Sequence, residues 1–394
     1  MNIYLEGRIS GWKLHSLYDS LIEFPPEGVT FNYTESEMPS QDGSALRSIN
    51  AFFSDIQPLK GVIGHFKPFL YYAYYKATHR AGRTPKTDMI YSSQHLIFDP
   101  VPWVVDLEFV TGLVGYGSLR TYKRIVERTL ASKYCKRIMP WTDAAKETLR
   151  LGLDCRDFDE KIETVHLAVP PKKFLKRFED DNVRLLFVAT GNKFNLRRSF
   201  ELKGGREVLA AFADLRKRNP RVTLTIRSSV PTRYREFCLE EGIRVLPDVL
   251  TSEKLRQEFE RADIFVFPGH QTPGSVILDA MSYELPVVAT NIWGMSEMII
   301  PEQNGFLTRP SRFAKYTDDK LVPLWGEPGF LKSIARVDQD MVRDIVEKVS
   351  YLVENPGERR RMGREGRKEI DIGKFSIVER NRKLLRIFKE SMNS

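Results

Sequence analysis

Residues 263–290 follow the order strand, loop, helix and strand, which restricts this part of the chain to a parallel α/β arrangement. Ile264 to Phe267 is a short apolar run, as expected for a strand buried on both faces of a parallel sheet. Gly274 and Ser275 are predicted to open a helix, and Pro286 ends it before a further apolar run. The pattern therefore predicts a βαβ unit.

The same alternation continues through the rest of the C-terminal half. The predicted strands are Leu185 to Val188, Val222 to Ile226 and Ile243 to Leu246, and the predicted helices are Gly204 to Leu215, Tyr234 to Glu241 and Ser252 to Arg261. Strands that alternate with helices predict a doubly wound parallel sheet. We place the start of this domain at residue 181, after the polar break at Asp180.

The N-terminal half shows a second, less regular α/β pattern. Its predicted strands are Met89 to Tyr91, Trp103 to Val105 and Thr164 to Val169, and its predicted helices are Thr121 to Ala131 and Trp141 to Leu151. Residues 309–340 are interpreted as a surface insertion. Two amphipathic helices are predicted after it, at Val342 to Asn355 and Lys374 to Lys389. The sequence thus predicts two Rossmann-like domains at 1–180 and 181–375, and a final helix at 376–394.

Composition excludes several classes of protein. The chain has 394 residues, of which 42% are hydrophobic and 29% charged, as in globular proteins with two cores. Three scattered cysteines indicate a reducing compartment and no zinc site. The N-terminus is charged too early for a signal peptide, and no apolar run has the roughly 20 residues needed to span a bilayer. We therefore expect a cytoplasmic protein.

The net charge of +9 falls mostly in the C-terminal half. A basic half suits a diphosphate ligand or an anionic surface. The run from Glu358 to Lys368 supplies much of the excess, and a solvated helix face explains it as well. No aromatic residues are interleaved with these charges, so the pattern does not favour nucleic-acid binding.

The helix predicted at Gly274 and Ser275 begins beside the carboxyl end of a strand. Free backbone N–H groups and the positive end of the helix dipole favour an anion there, and ligands of open α/β sheets dock at this edge. An ordinary core βαβ unit remains the alternative.

The segment resembles the signature of family 4 glycosyltransferases, retaining enzymes of the GT-B architecture. Their signature has two glutamates eight positions apart, a Gly three residues after the first, then Ala-Met, Gly and Pro-Val-Val. Here these positions are occupied as follows: the glutamates by Gln271 and Asp279, the first Gly by Gly274, Ala-Met by Ala280 and Met281, the second Gly by Glu284, and Pro-Val-Val by Pro286 to Val288. The resemblance covers residues 183–308, including Lys203-Gly204 and Asn304 to Leu307.

The resemblance implies two doubly wound domains that face each other across a cleft. It also implies a metal-independent, retaining transfer of a hexose from a nucleotide-sugar, UDP- or GDP-linked, to a carbohydrate or lipid-linked acceptor hydroxyl. The base would lie near Leu246, in the loop from Val245 to Val249. The final helix would cross back to the first domain.

Three groups of residues match the family's donor site. Lys203 with Arg198, or with Arg197 because the preceding loop is long, would bind the diphosphate. Asp279, shorter than Glu by about 1.5 Å, would hold the ribose hydroxyls. Gln271 would orient the donor sugar by hydrogen bonds but cannot supply a negative charge.

The acceptor side carries fewer signals. Glu108 stands where many relatives have a catalytic-site His, and Asp106 is a second candidate on the same strand end. His95 follows another predicted strand and is also a candidate. Gly7 and Gly11 are the nearest match to the family's N-terminal glycine-rich loop.

A tyrosine-rich basic stretch, His65 to Arg80, fits two interpretations. It could contact an anionic membrane that carries a lipid-linked acceptor, which would place the protein at the inner face of a membrane. It could equally form a partly buried helix.

Two other functions remain open for the whole chain. A GT-B phosphorylase or epimerase would share the fold. A degenerate transferase, kept as a binding or scaffold subunit, would explain Gln271, Asp279 and Glu284, whereas retention of Arg198 and Lys203 argues against it.

Overall fold

The computed structural model describes residues 1–6, 18–33, 87–114, 119–174, 176, 182–189, 196–247, 250–272, 274–317, 324 and 329–393. The described chain separates into two compact units. Unit 1 contains Met1–His166 and Arg380–Ser394, and unit 2 contains Leu167–Asp318 and Leu324–Glu379. The limits of the two units are set by contacts between residues. The domain limits at 180 and 375 were predicted from composition and motif spacing, and they stay a prediction.

Unit 1 is built on a parallel sheet in the order β2-β1-β3-β4-β5. Its strands are β1 (Asn2–Glu6), β2 (Thr30–Asn32), β3 (Met89–Ser93), β4 (Trp103–Leu107) and β5 (Cys135–Pro140). Its helices are α1 (Asp19–Glu23), α2 (Leu119–Ala131) and α3 (Asp143–Gly152), and most of the final helix α13 (Ile377–Asn393) belongs to it.

The two faces of this sheet carry separate apolar clusters. Trp103 and Val105 of β4 pack with α2 and α3 on one face, whereas Val104 packs on the other with Leu384 and Phe388 of α13. Every residue of β3 and β4 is buried, including the polar Ser92, Ser93 and Asp106, as expected for central strands covered on both faces.

Unit 2 contains a second parallel sheet in the order β11-β10-β9-β6-β7-β8. Its strands are β6 (Val183–Ala189), β7 (Val222–Ser228), β8 (Arg244–Leu246), β9 (Ile264–Phe267), β10 (Val287–Thr290) and β11 (Gly305–Thr308). Its helices are α4 (Leu196–Leu202), α5 (Gly205–Arg218), α6 (Arg235–Glu240), α7 (Ser252–Arg261), α8 (Val276–Ser282), α9 (Met295–Met298), α10 (Phe330–Ser333), α11 (Gln339–Glu354) and α12 (Pro356–Asp371).

Strand β6 shows how the helices cover both faces of this sheet. Its Leu185 and Phe187 pack into the cluster under α5 and α11, and its Leu186 and Val188 pack into the cluster under α7 and α8. The predicted doubly wound α/β fold is therefore present in unit 2.

The strand predicted at Thr164 to Val169 is wrong, because the structure has no strand there. The backbone N–H groups of Glu163 and Val165 donate to β5 at Ile138 and Pro140, both at 2.9 Å, and the pairing then stops. Pro170 and Pro171, which follow, have no N–H to continue a ladder.

The interpretation of residues 309–340 as a surface insertion also needs correction. Phe330 and Ile334 are buried against Leu202, and Asp338 is buried as the N-cap of α11, where its side chain accepts from the N–H of Asp340 at 3.0 Å. Described parts of this segment therefore belong to the core of unit 2.

The basic run at 358–368 forms α12, and only part of it is a solvated face. Arg359 is 1% exposed and donates to the carbonyl of Leu352 at 2.9 Å, near the C-terminus of α11. Gly363 lies against the backbone of Glu284, where a Cβ would meet the carbonyl oxygen at 2.1 Å. One side of α12 is thus a packing surface.

Candidate functional site

The sheet of unit 2 changes its winding direction between β6 and β9. These strands are neighbours, with Leu185 opposite Ile264, although β7 and β8 intervene in the sequence. The chain adds β7 and β8 on one side of β6 and then β9, β10 and β11 on the other. In open α/β sheets, ligands bind at the carboxyl ends of the strands that flank such a switch point.

The loop after β9 touches the start of α5 at this point. Gly204 has φ +84°, and a Cβ added there would lie 2.0 Å from the carbonyl oxygen of Pro268. Only glycine fits this approach at this backbone angle. The predicted Lys203-Gly204 pair thus stands directly before α5, which begins at Gly205, one residue later than predicted.

Lys203 is held against the same loop. Its ammonium donates to the carbonyl oxygen of Thr272 and lies 5.4 Å from the centroid of the Phe267 ring. Since an ammonium carries three N–H donors, the group can bridge the loop and an anion. The structure therefore places Lys203 beside the loop that contains Gln271.

Arg197 and Arg198 lie in helix α4, in a stretch that the sequence analysis treated as a loop. Their side chains are outside the described part of the structure, so their role as partners of Lys203 stays a prediction.

Gln271 is half-buried between two anchored residues. The backbone N–H of His270 donates to the carbonyl of Leu202 at 2.8 Å, and the carbonyl of Thr272 accepts from Lys203. Both neighbours of Gln271 are thus attached to the segment that precedes α5.

Gly274 and Ser275 precede α8, which begins at Val276. Gly274 has φ +63°, and no atom lies within 4 Å of the position that a Cβ would occupy. The backbone angle, rather than a close neighbour, makes glycine suitable here. Ser275 is the N-cap residue of the short helix.

Asp279 lies in the first turn of α8, and its environment differs from that of a solvated helix residue. Burial raises the pKa of Asp279, whereas Lys172 and the hydroxyl of Ser275 act in the opposite direction. The Ser275 hydroxyl donates to Asp279 Oδ2 at 3.4 Å. A carboxylate with a shifted pKa at a switch point is a common feature of functional sites.

Glu284 replaces the family's glycine and keeps a glycine-like backbone, with φ +56°. A side chain with a Cβ is disfavoured at such an angle by roughly 1–2 kcal/mol. The α8–β10 turn is therefore formed at a cost in stability.

Two further predicted positions lie elsewhere in unit 2. Leu246 is half-buried at the end of β8, an edge strand. Asn304 is buried, and its side chain binds the Ile300 N–H at 2.8 Å and the Met298 carbonyl at 3.0 Å. Asn304 therefore shapes the turn before β11.

Unit 1 has its own switch point, between β1 and β3. Glu6 ends β1 and lies in register with Ser92 of β3. Burial and, secondarily, the charge of Asp99 raise the pKa of Glu6 to about 7. Glu6 was not among the predicted site residues, although its position at the end of an apolar run marks a strand end.

His95 and Glu108 follow the neighbouring strands β3 and β4, and both are half-buried. The His95 carbonyl accepts from the Ser92 hydroxyl at 2.7 Å, and the adjacent Gln94 N–H donates to the Asp106 carbonyl at 3.0 Å. The fold thus brings both candidates to one edge of the sheet, while their catalytic roles stay predictions.

Asp106 is a poor candidate for binding an acceptor. It is 3% exposed, and its carboxylate accepts from the hydroxyls of Tyr18 at 2.7 Å and Tyr91 at 3.0 Å. Burial raises the pKa of Asp106 to about 7, against the lowering effect of these hydrogen bonds. It belongs to the core of unit 1.

Several predicted features lie outside the described residues, namely Gly7, Gly11, the His65 to Arg80 stretch, and the Asp248 and Val249 end of the base loop. In the part of the chain that is described, no group of three or more His, Cys, Asp or Glu side chains could hold a metal ion. Among the same residues, no helix is long and apolar enough to cross a membrane.

Lys172, whose charge acts on Asp279, was not among the predicted site residues. Its position after Pro170-Pro171 gave no signal for an electrostatic interaction with a residue more than 100 positions ahead. A separate polar cluster joins Glu207, His270 and Tyr316, and none of these was predicted as a site residue.

Residues 175–321 match the family model described as "Glycosyl transferases group 1". A D-inositol 3-phosphate glycosyltransferase of Arthrobacter sp. (strain FB24) is 31% identical over 186 residues, 44% of this chain and 43% of that protein. An uncharacterized glycosyltransferase of Methanocaldococcus jannaschii, MJ1607, is 24% identical over 180 residues, 44% of this chain and 43% of that protein. The chain thus aligns with about two fifths of the length of these curated relatives.

Solved structures extend the likeness to the whole chain. Anabaena Alr3699/HepE in complex with UDP and glucose superimposes with a TM-score of 0.59 at 12% identity, over 98% of this chain and 99% of that one. At this identity the likeness concerns the fold alone, which agrees with the two parallel-sheet units described above. The fold is therefore GT-B, and residues 175–321 of this chain are similar to the glycosyl transferases group 1.

Proposed function

We propose that this protein is a retaining, metal-independent glycosyltransferase that moves a hexose from a nucleotide-sugar to an acceptor hydroxyl. The observation that carries the proposal is the meeting of two donor-site elements at the switch point of unit 2. Lys203, directly before α5, donates to the loop that contains Gln271. Both elements lie within the residues matched by the family model.

Chemically, this arrangement supplies the charge that a departing diphosphate needs. Lys203 would stabilise negative charge on the leaving phosphate oxygens, and the free N–H groups at the start of α5, a helix of 14 residues, would add to it. Arg197 or Arg198 would supply a second cation. In this proposal no metal ion takes part.

Asp279 and Gln271 would hold the two remaining parts of the donor. Asp279 would accept hydrogen bonds from the ribose hydroxyls, since it lies in the first turn of α8, four residues after Ser275. Gln271 would bind the sugar hydroxyls. Leu246 would lie near the donor base. On the acceptor side, His95 and Glu108 would bind the acceptor hydroxyl at the edge of the first sheet.

UDP is the first nucleotide to test, because Anabaena HepE was solved with UDP and glucose. GDP remains an alternative. The acceptor would be a carbohydrate or a lipid-linked carbohydrate. We also propose a cytoplasmic location at the inner face of a membrane; three buried, free cysteines support a reducing compartment.

The experiment is calorimetric binding of UDP, GDP and ADP to the wild-type protein, to Lys203→Ala and to Lys217→Ala. Lys217 is an exposed lysine near the other end of α5 and serves as the control. One nucleotide should bind the wild type and Lys217→Ala equally, and Lys203→Ala at least tenfold more weakly. If the folded wild-type protein binds none of the three nucleotides, the transferase proposal fails and a scaffold or phosphorylase role takes its place.

A further inference from the structure

Glu207 is a buried carboxylate in the first turn of α5. It is 1% exposed, and neither of its carboxylate oxygens makes a hydrogen bond within the described part of the chain. His270 is also 1% exposed, and its Nε2 lies 3.3 Å from Glu207 Oε1. Burying a carboxylate without a partner costs free energy, and the nearby His270 offsets part of that cost for Glu207.

The other side of the His270 ring contacts Tyr316. His270 Nδ1 lies 2.9 Å from the Tyr316 hydroxyl oxygen, and that oxygen accepts from the Ser311 N–H at 3.2 Å. The two rings are nearly parallel, with centroids 6.1 Å apart. His270 therefore makes a hydrogen bond at Nδ1 and a close polar contact with Glu207 at Nε2.

The directions of these contacts are mutually consistent. We assign the ring proton of His270 to Nε2, which faces Glu207 Oε1, and the acceptor role to Nδ1, which faces the Tyr316 hydroxyl. The Tyr316 hydroxyl then donates to Nδ1 while its oxygen accepts from Ser311. Each polar group thus has one role, and a network of this kind favours a single arrangement.

The network joins three separate segments of unit 2. Glu207 belongs to the start of α5, His270 to the loop between β9 and α8, and Tyr316 to the stretch after β11. The Tyr316 ring also packs edge-on against Phe330, with centroids 5.9 Å apart. The stretch after β11 therefore supports the loop from its buried side.

Gln271 is the residue whose place this network determines. It directly follows His270, whose side chain is held by the network and whose N–H is bound to Leu202. On its other side, Thr272 is bound by Lys203. A shift of the His270 ring would therefore move the backbone from which the Gln271 side chain starts.

We propose that Glu207, His270 and Tyr316 are positioning residues that hold Gln271 in place to contact the donor sugar. This inference rests on the proposed function and extends it, because it assigns a role to a buried polar cluster that would not touch the donor. The hydroxyl of Tyr316, in the stretch after β11, would then influence the sugar-transfer step and leave nucleotide affinity unchanged.

The test begins with Tyr316→Phe, which removes one hydroxyl and keeps the ring contacts. Tyr351→Phe is the matched control, because Tyr351 also packs edge-on against a phenylalanine, Phe306, and lies on α11. Hydrogen–deuterium exchange of peptides within 264–278 should rise in Tyr316→Phe only. Unchanged exchange in this segment, or exchange that rises throughout unit 2, would overturn the proposal.

Kinetics then separates positioning from simple stability. With UDP-glucose as the probe, Tyr316→Phe should lower kcat for hydrolysis or transfer about tenfold and leave the Kd of UDP within about twofold. Glu207→Gln, which keeps a side-chain oxygen beside Nε2, should keep most of the activity, whereas Glu207→Leu should lose it. Equal kcat in wild type and Tyr316→Phe would refute the positioning role.

The exchange measurement also distinguishes the two proposals. If UDP does not bind the wild-type protein, the proposed function fails, yet exchange in 264–278 still shows whether Tyr316 holds the loop. If UDP binds and exchange does not respond to Tyr316→Phe, only the positioning proposal fails.

Discussion

The carbonyl oxygen of Pro268 lies 2.0 Å from the position that a Cβ on Gly204 would occupy. This approach joins the loop after β9 to the start of α5, and it brings Lys203 to Thr272. The donor site proposed here depends on it, because the loop cannot lie where it does beside any larger residue.

Gly204→Ala should therefore weaken both stability and nucleotide binding. The positive φ costs roughly 1–2 kcal/mol and the clash adds to it, so we expect the melting temperature to fall by about 4 °C or more. Gly357→Ala is the control, since a Cβ at Gly357 meets no atom within 4 Å. Differential scanning calorimetry would measure both, and a normal melting temperature for Gly204→Ala would contradict the close approach.

Glu284→Gly should stabilise the protein. Glu284 has φ +56°, an angle at which glycine carries no steric penalty, so we expect a gain of about 1 kcal/mol. Glu347→Gly, in the middle of α11, should instead lose about 1 kcal/mol. Urea unfolding gives both values, and a loss in Glu284→Gly would show that its side chain contributes more than the backbone strain costs.

Asp106 predicts a pH dependence of stability. Its folded pKa, about 7, exceeds the ordinary value of 3.8, so the folded state binds the proton more tightly. The contribution of Asp106 to the free energy of unfolding is therefore greatest below about pH 4 and is lost as the pH rises to about 7. Asp106→Asn removes this titration, so its stability relative to wild type should improve from pH 5 to pH 8, by at most a few kcal/mol.

Thermal unfolding at several pH values tests this sign. Asp157→Asn, a change of an exposed residue in the same unit, is the control. A constant difference for Asp106→Asn would show that the carboxylate stays ionised in the folded protein.

Gln271→Ala should separate sugar recognition from nucleotide binding. Because Gln271 would contact only the sugar, transfer activity should fall about a hundredfold, while the Kd of UDP changes less than twofold. Calorimetry with UDP and a transfer assay with UDP-glucose give the two quantities. Unchanged activity would remove Gln271 from the site.

The strands and helices around the site were predictable because their burial is periodic. The apolar run of β9 and the glycine and proline at the limits of α8 carry their own local signals. Thr164 to Val169 has the same apolar character, but it runs along the edge strand β5 for only two hydrogen bonds, and no local pattern reveals that.

The polar contacts of the site were not predictable, because they join residues far apart in sequence. Glu207 and Tyr316 are separated from His270 by 63 and 46 positions, and neither stands in a recognisable motif. The burial of Arg359 was missed for a related reason, since its neighbours in the sequence are mostly charged while its partner is the end of α11. Such pairs become visible only when the chain is folded.

Among the residues that the structure describes, each sheet has one edge strand of only three residues, β2 in unit 1 and β8 in unit 2. A strand this short offers few unpaired backbone groups to a second molecule, and β8 also begins with Arg244, a charge that opposes such pairing. At these two edges the protein is therefore built to resist strand-by-strand aggregation, which would allow it to work at high local concentration.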